Sequence, residues 1–100
     1  MKITVQSIHF DADQKLISYI EEKVAKLDTF FDRITDAKVY LKVEKDSAGR
    51  ENKNVEVKLN VPQEQLMAKE RGHKFEEAVD LAVDALKKQL KKYKEKQRGE

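Results

Sequence analysis

Basic side chains with the chemistry to bind phosphate are concentrated in the last part of this sequence. Between residues 85 and 98 the chain carries seven cations and one anion, Glu95, so the local charge is +6. The formal charge of the whole chain is only +2, which leaves −4 on the other residues. A charge distribution this polarised is typical of proteins that bind a polyanion, most often nucleic acid. The cations are Lys87, Lys88, Lys91, Lys92, Lys94, Lys96 and Arg98.

A plainer role for these cations is to complement the dipole at the C-terminal end of a helix. Two lysines would suffice for that role, so seven favour polyanion binding. Lysine acts as a point charge that contacts phosphate, whereas bidentate reading of guanine needs arginine, and the chain has only four arginines. We therefore expect recognition of RNA shape and backbone, with an affinity that falls steeply as the salt concentration rises.

Residue types that carry out catalysis or bind metals are few and poorly spaced. The two histidines, His9 and His73, lie in different expected loops, and neither belongs to a metal-binding pattern. The serines lack a nucleophile-elbow context, no glycine-rich phosphate loop is present, and there is no cysteine. We therefore predict that the protein is not an enzyme and needs no cofactor, metal or small-molecule substrate.

Composition points to one domain that stays away from membranes. The chain has 100 residues, of which 39% are hydrophobic and 40% charged. Periodic apolar residues in a chain of this length indicate a compact fold with a small core. The N-terminus lacks the apolar core of a signal peptide, and no stretch approaches the length of a membrane span. We expect a cytoplasmic protein.

Hydrophobic periodicity predicts six elements in the order β-α-β-β-β-α. The expected strands cover about residues 1–8, 37–44, 55–61 and 65–70, and the expected helices about 12–31 and 74–97. Asp11 is the expected N-cap of the first helix, with Gln14 completing a capping box. Pro62 is expected to end the third strand, because proline cannot donate to the ladder.

The pattern of these elements predicts an α+β fold with both helices on one face of a four-stranded sheet. Each helix has one apolar stripe, and short loops should join the last three strands into an antiparallel meander. The second helix, about 24 residues or roughly 36 Å long, exceeds a typical strand of about 17–20 Å. Its lysine-rich turns are therefore expected to extend past the sheet.

The first helix also has a cationic flank, which consists of Lys15, Lys23 and Lys26 together with Tyr19. If this flank faces the lysines of the second helix, the groove between the helices is a cationic track for a phosphate backbone. The asymmetry is also compatible with chance. Tyr19 and Tyr93 could stack on a base or a ribose, or could form half-buried edges of the core.

Three segments form a specific combination: AKLDTFFDRI at 25–34, VYLKVEK at 39–45, and the helix running from AVD to LKKQLKKYKEK at 78–96. With them, essentially the whole chain resembles the ribosome hibernation promoting factor family, also called ribosome-associated inhibitor A or sigma-54 modulation proteins. The resemblance implies a fold similar to double-stranded-RNA-binding domains. It also implies that residues 1–100 form one ribosome-binding domain whose lysine-rich helix end spans about 85–98.

The resemblance implies binding to 16S rRNA of the 30S ribosomal subunit, in the channel between head and body. There the protein would overlap the paths of mRNA and of A- and P-site tRNA, block translation in stationary phase or stress, and preserve idle ribosomes, often as dimers. Basic residues of both helices contact rRNA in the family. They correspond to Lys23, Lys26, Lys88, Lys92, Lys94 and Lys96. The charge pattern adds Lys87, Lys91 and Arg98 to this set.

Some features depart from the family pattern or leave alternatives. Lys74, Phe75 and Glu76 stand where the family often has Asp-Met-Tyr, and Tyr93 stands where histidine is common. The length corresponds to the short type, which in some bacteria works with a separate ribosome modulation factor. The alternatives are a general duplex-RNA-binding protein, and a protein-interaction modulator with no ribosomal role and a shallow salt dependence.

Overall fold

The computed structural model describes residues 1–97. The described strands are β1 (Lys2–Ile8), β2 (Asp36–Lys45), β3 (Glu51–Val61) and β4 (Glu64–Gly72). The described helices are α1 (Gln14–Ala25) and α2 (Phe75–Gln97), and a short 3₁₀ helix (Lys26–Thr29) directly follows α1. The predicted order of strands and α-helices is confirmed.

The four strands form one mixed sheet in the order β1-β2-β3-β4. β1 pairs with β2 in parallel, with Val5 opposite Val39. β2, β3 and β4 form the predicted antiparallel meander, in which Val39 lies opposite Val57 and Val57 opposite Ala68. Because β1 and β4 point the same way and each is followed by a helix that returns across the sheet, α1 and α2 run in the same direction.

The core lies between the helices and one face of the sheet, as predicted. Alternate residues of β2 and β3 point into it because side chains along a strand alternate between faces. They are at most 1% exposed: Val39, Leu41, Val55, Val57 and Leu59. The apolar stripe of α2 packs against them through fully buried Leu86 and Leu90. The opposite face of the sheet is polar and uncovered by any described element.

The start and the end of the first helix differ from the prediction. Asp13, not Asp11, is the N-cap, and its carboxylate accepts a hydrogen bond of 2.8 Å from the N–H of Leu16. The α-helix ends at Ala25, because the chain then tightens into the 3₁₀ helix, which buries Leu27 completely. Apolar residues at spacings of three and four suit both helix types, so periodicity could not separate them.

The two hairpins depend on turn chemistry. Between β2 and β3, the carboxylate of Asp46 accepts hydrogen bonds from the N–H groups of Ala48 and Arg50, and Gly49 has a φ of 79°. These hydrogen bonds, of which the one from the Arg50 N–H has the largest effect, hold the pKa of the Asp46 carboxyl below its usual value. Between β3 and β4, Pro62 ends the strand as predicted, and Gln63 has a φ of 68°.

Candidate nucleic-acid interface

The C-terminal part of α2 presents lysines on every side that its apolar stripe does not occupy. With 3.6 residues per turn, the lysines fall into three pairs around the helix. Lys87 and Lys94 lie on the flank toward α1, Lys88 and Lys91 on the outward crest, and Lys92 and Lys96 on the flank away from α1. The structure therefore brings together the six predicted site lysines of α2, whereas the predicted site residue Arg98 lies outside the described residues.

These lysines differ in how they are held. Lys88, Lys91, Lys92 and Lys96 are exposed, and within residues 1–97 none of them forms an ion pair. Lys87 is half-buried, with its ammonium 3.8 Å from a carboxylate oxygen of Asp84. The ammonium of Lys94 donates a hydrogen bond of 2.9 Å to the backbone carbonyl of Phe30. Among the described residues, four of these cations thus have no internal partner and two, Lys87 and Lys94, have one.

Tyr93 belongs to the core and not to the cationic surface. It is 3% exposed, packs edge-to-face on Phe31 with ring centroids 5.2 Å apart, and donates its hydroxyl to the carbonyl of Pro62 at 2.7 Å. The interpretation of Tyr93 as a core residue is confirmed. Because Pro62 lies in the β3–β4 turn, Tyr93 is level with that end of the sheet. Within residues 1–97, only the last turn of α2 extends beyond that end of the sheet, which is less than predicted.

The cationic flank of α1 faces acidic residues of α2. The hydroxyl of Tyr19 donates a hydrogen bond of 2.7 Å to Asp80, and the ammonium of Lys23 lies 3.3 Å from the same carboxylate. The hydrogen bond to Asp80, with burial and the charges of Asp80 and Glu76, raises the pKa of Tyr19 to about 12. The prediction that this flank faces the lysines of the second helix is therefore wrong at Lys23.

The direction of the helices explains this correction. Because α1 and α2 run the same way, the body of α1 lies beside the N-terminal half of α2, where Asp80 is, and not beside the lysines. Lys26 lies further along, is exposed, and forms no ion pair with any residue in the described part of the chain. Of the two predicted site residues of the first helix, Lys23 is paired with Asp80, whereas Lys26 has no ion-pair partner within residues 1–97.

Sequence reasoning missed one residue of this surface, Phe30. A cleft of about 410 Å³ opens between the end of the 3₁₀ helix and α2. It is lined by Phe30, Lys87, Lys88, Lys91, Lys94 and Glu95. The side chain of Phe30 is 42% exposed, whereas Phe31 is 8% exposed. No clear signal marked it: Phe31 continues the apolar spacing of the first helix, but adjacent apolar residues can both be buried, as Ala78 and Val79 are in α2.

Within residues 1–97, no group of three or more histidine, aspartate and glutamate side chains is arranged to hold a metal ion. None of the described helices has the length and apolar character needed to cross a membrane.

A family model described as Sigma 54 modulation protein / S30EA ribosomal protein matches residues 3–98. The chain belongs to this family. The ribosome hibernation promoting factor of Pseudomonas putida is 35% identical to this family member over 99 residues, which cover 99% of the chain and 92% of that protein. The ribosome hibernation promotion factor of Deinococcus radiodurans is 42% identical over 85 residues, which cover 84% of the chain and 44% of that protein.

A solved structure supports the same fold for this S30EA family member. The ribosomal subunit interface protein from Coxiella burnetii superposes with a TM-score of 0.83, covering 94% of this chain and 98% of that one. Its sequence identity is 23%, so this likeness concerns the fold alone.

Proposed function

We propose that this protein is a ribosome hibernation factor of the cytoplasm. It binds 16S rRNA in the decoding channel of the small ribosomal subunit and, by occupying that channel, excludes mRNA and the A- and P-site tRNAs. Translation stops in stationary phase or under stress while the ribosome is preserved. The proposal is supported by membership of the S30EA family and by relatives that are named ribosome hibernation promoting factors.

The observation that carries the proposal is the set of exposed lysines without ion-pair partners in the described residues. Lys88, Lys91, Lys92 and Lys96 surround one end of α2, and Lys26 lies at the start of the neighbouring 3₁₀ helix. Each binds a phosphate without first breaking an ion pair to another residue of the range 1–97. Charges of this kind bind the RNA backbone and release its counterions, so they anchor a protein without reading a base sequence.

The proposed RNA-binding surface also includes residues that are already engaged or lie beyond residue 97. Lys87 and Lys94 line the cleft and can turn toward a phosphate, and Arg98 adds a further charge. Lys23 reaches a phosphate only by leaving Asp80, so its net contribution is smaller than that of Lys26.

The mechanism is steric and electrostatic, and it makes or breaks no covalent bond. The lysines supply the attraction, and the folded body supplies the obstruction. The molecule extends over 49 × 28 × 18 Å, and the sheet and both helices share one core. A body held together in this way does not yield to a tRNA or an mRNA that competes for the same space.

The test is co-sedimentation of the purified protein with 30S subunits over a series of salt concentrations, with and without tRNA and mRNA. Pelleting that weakens as salt rises and that tRNA competes away supports the proposal. If naked duplex RNA competes as well as 30S subunits do, the protein is a general duplex-RNA binder. If nothing pellets at low salt, ribosome binding is refuted and a protein partner takes its place.

A further inference from the structure

An exposed aromatic side chain lies inside the cationic cleft. Phe30 is 42% exposed, although it is a large hydrophobic residue in a protein whose other phenylalanines, at the buried positions 31 and 75 and the partly buried position 10, pack on the core. Leaving a phenylalanine open to water forgoes the free energy of burying it. Its neighbours in the cleft are four lysines and Glu95, which offer the ring no apolar cover except the stems of their side chains.

The backbone around Phe30 is held in place from several directions. Its N–H donates a hydrogen bond of 3.0 Å to the carbonyl of Leu27, and its own carbonyl accepts one of 2.9 Å from Lys94. Leu27 is fully buried, and Phe31, the next residue, packs against Tyr93. These hydrogen bonds and buried neighbours therefore fix the position of the backbone that carries the ring.

Within residues 1–97, one cation contacts the Phe30 ring and part of the side chain stays exposed. The ammonium of Lys87 lies 5.3 Å from the ring centroid, close enough for a cation–π contact. Lys88 and Lys91 stand on the outward crest of α2 beside the same cleft. An aromatic ring flanked by free cations is the combination by which proteins bind single-stranded nucleic acid, because bases stack on the ring while lysines hold the phosphates.

We propose that Phe30 is a stacking platform for one unpaired nucleobase of RNA, whose flanking phosphates are bound by Lys88 and Lys91. This inference rests on the proposed RNA-binding function and goes beyond it, because lysines alone would bind duplex and single-stranded RNA through phosphate. The ring adds a preference for a nucleotide that is free to leave its own stack, such as one in a loop or bulge.

The chain offers an unusually clean optical test, because it contains no tryptophan. Phe30→Trp places a single indole in the cleft, and Leu81→Trp places one at an exposed position of α2 outside the cleft, where the native side chain is 46% exposed. Each variant is titrated with a single-stranded oligouridylate decamer, and with a duplex RNA of the same number of phosphates. Stacking predicts fluorescence quenching by the single strand in Phe30→Trp, little quenching by the duplex, and none in the Leu81→Trp control.

A second measurement separates stacking from a merely supporting role. Phe30→Ala is expected to weaken decamer binding about 5- to 150-fold, which is the measured range for losing one base–aromatic stack. Phe30→Tyr is expected to restore binding, because tyrosine keeps an aromatic ring. The slope of log affinity against log salt should stay unchanged, because no charge is lost. A shallower slope would mean that Phe30 only positions Lys87 and Lys94, and would overturn the proposal.

The remaining outcomes are equally decisive. Wild-type affinity in Phe30→Ala, or equal quenching in Phe30→Trp and Leu81→Trp, refutes the stacking platform. Such a result leaves the proposed function standing if the wild-type protein still sediments with 30S subunits. If the wild-type protein does not sediment with 30S subunits, the proposed function itself is refuted.

Discussion

Reversing the charge of Lys88 and Lys92 should weaken ribosome binding by orders of magnitude while leaving the fold intact. Both side chains are exposed, and neither forms an ion pair with another described residue. The core contacts of this part of α2 are made by Leu86, Leu90 and Tyr93, on the other side of the helix. The variant carries Lys88→Glu and Lys92→Glu together.

The size of the effect follows from the number of phosphates that these lysines neutralise. Each contact contributes about 0.7 to 0.9 to the slope of log affinity against log salt, so losing two lowers the slope by about 1.4 to 1.8. If the variant and the wild-type protein bind equally well at about 1 M salt, where the counterion contribution vanishes, the lower slope corresponds to an affinity about 25- to 60-fold lower at 0.1 M salt. The two introduced carboxylates also repel the backbone, which should take the loss past about a hundredfold.

The assay is quantitative co-sedimentation with 30S subunits at several salt concentrations between about 50 and about 200 mM. The matched control is Lys38→Glu with Lys58→Glu, which lie directly opposite each other on β2 and β3, on the face of the sheet that the helices leave uncovered. This control lowers the net charge by the same amount as the helix variant. The two introduced glutamates face each other across the strands as the two lysines did. Circular dichroism melting checks that each variant is folded.

Two results would refute the reasoning. Wild-type sedimentation of the helix variant would show that the lysines of α2 do not carry the interaction. An equal loss in the sheet control would show that overall net charge, and not the cationic end of α2, determines binding.

Three further predictions concern the fold. Leu90→Ala, at a fully buried position, should lower the free energy of unfolding by about 2–5 kcal/mol in urea titration, because it leaves a cavity. The Tyr19 hydroxyl should ionise near pH 12. The measurement is the tyrosinate absorbance in a pH titration, in which Tyr19→Phe removes the contribution of this residue. Asp80→Asn should lower the pKa of Tyr19. Because the pKa is raised on folding, the stability from this contact is complete below about pH 10 and is lost as the pH rises toward 12. Gln63→Gly should raise stability by up to about 1 kcal/mol, because glycine relieves the φ of 68°; a lower melting temperature would contradict this.

Much of the fold could be predicted because periodicity is a local property. Val39 and Leu41 alternate with polar neighbours, and the residues of α2 that recur at spacings of three and four are the ones that enter the core. Element boundaries were less certain. Asp11 and Asp13 are both suitable N-caps by residue type, and in the structure it is Asp13 that caps the helix.

The candidate site was predicted in part. The sequence alone identified the lysines of α2 and the side of the helix that Leu86 and Leu90 occupy. It could not show that Phe30 turns outward, because the change from α-helix to 3₁₀ helix that redirects it has no distinct apolar pattern.

The amount of charge and its position along the chain are determined by the sequence, and so is the face of each element that must be buried. The partner of each charge is decided only by the tertiary structure. Lys23 and Asp80 are 57 positions apart, yet they meet because α1 and α2 run in the same direction over one sheet. Coulomb interactions depend on distance in space, so the same lysines can be neutralised or left free by the direction in which two helices pack.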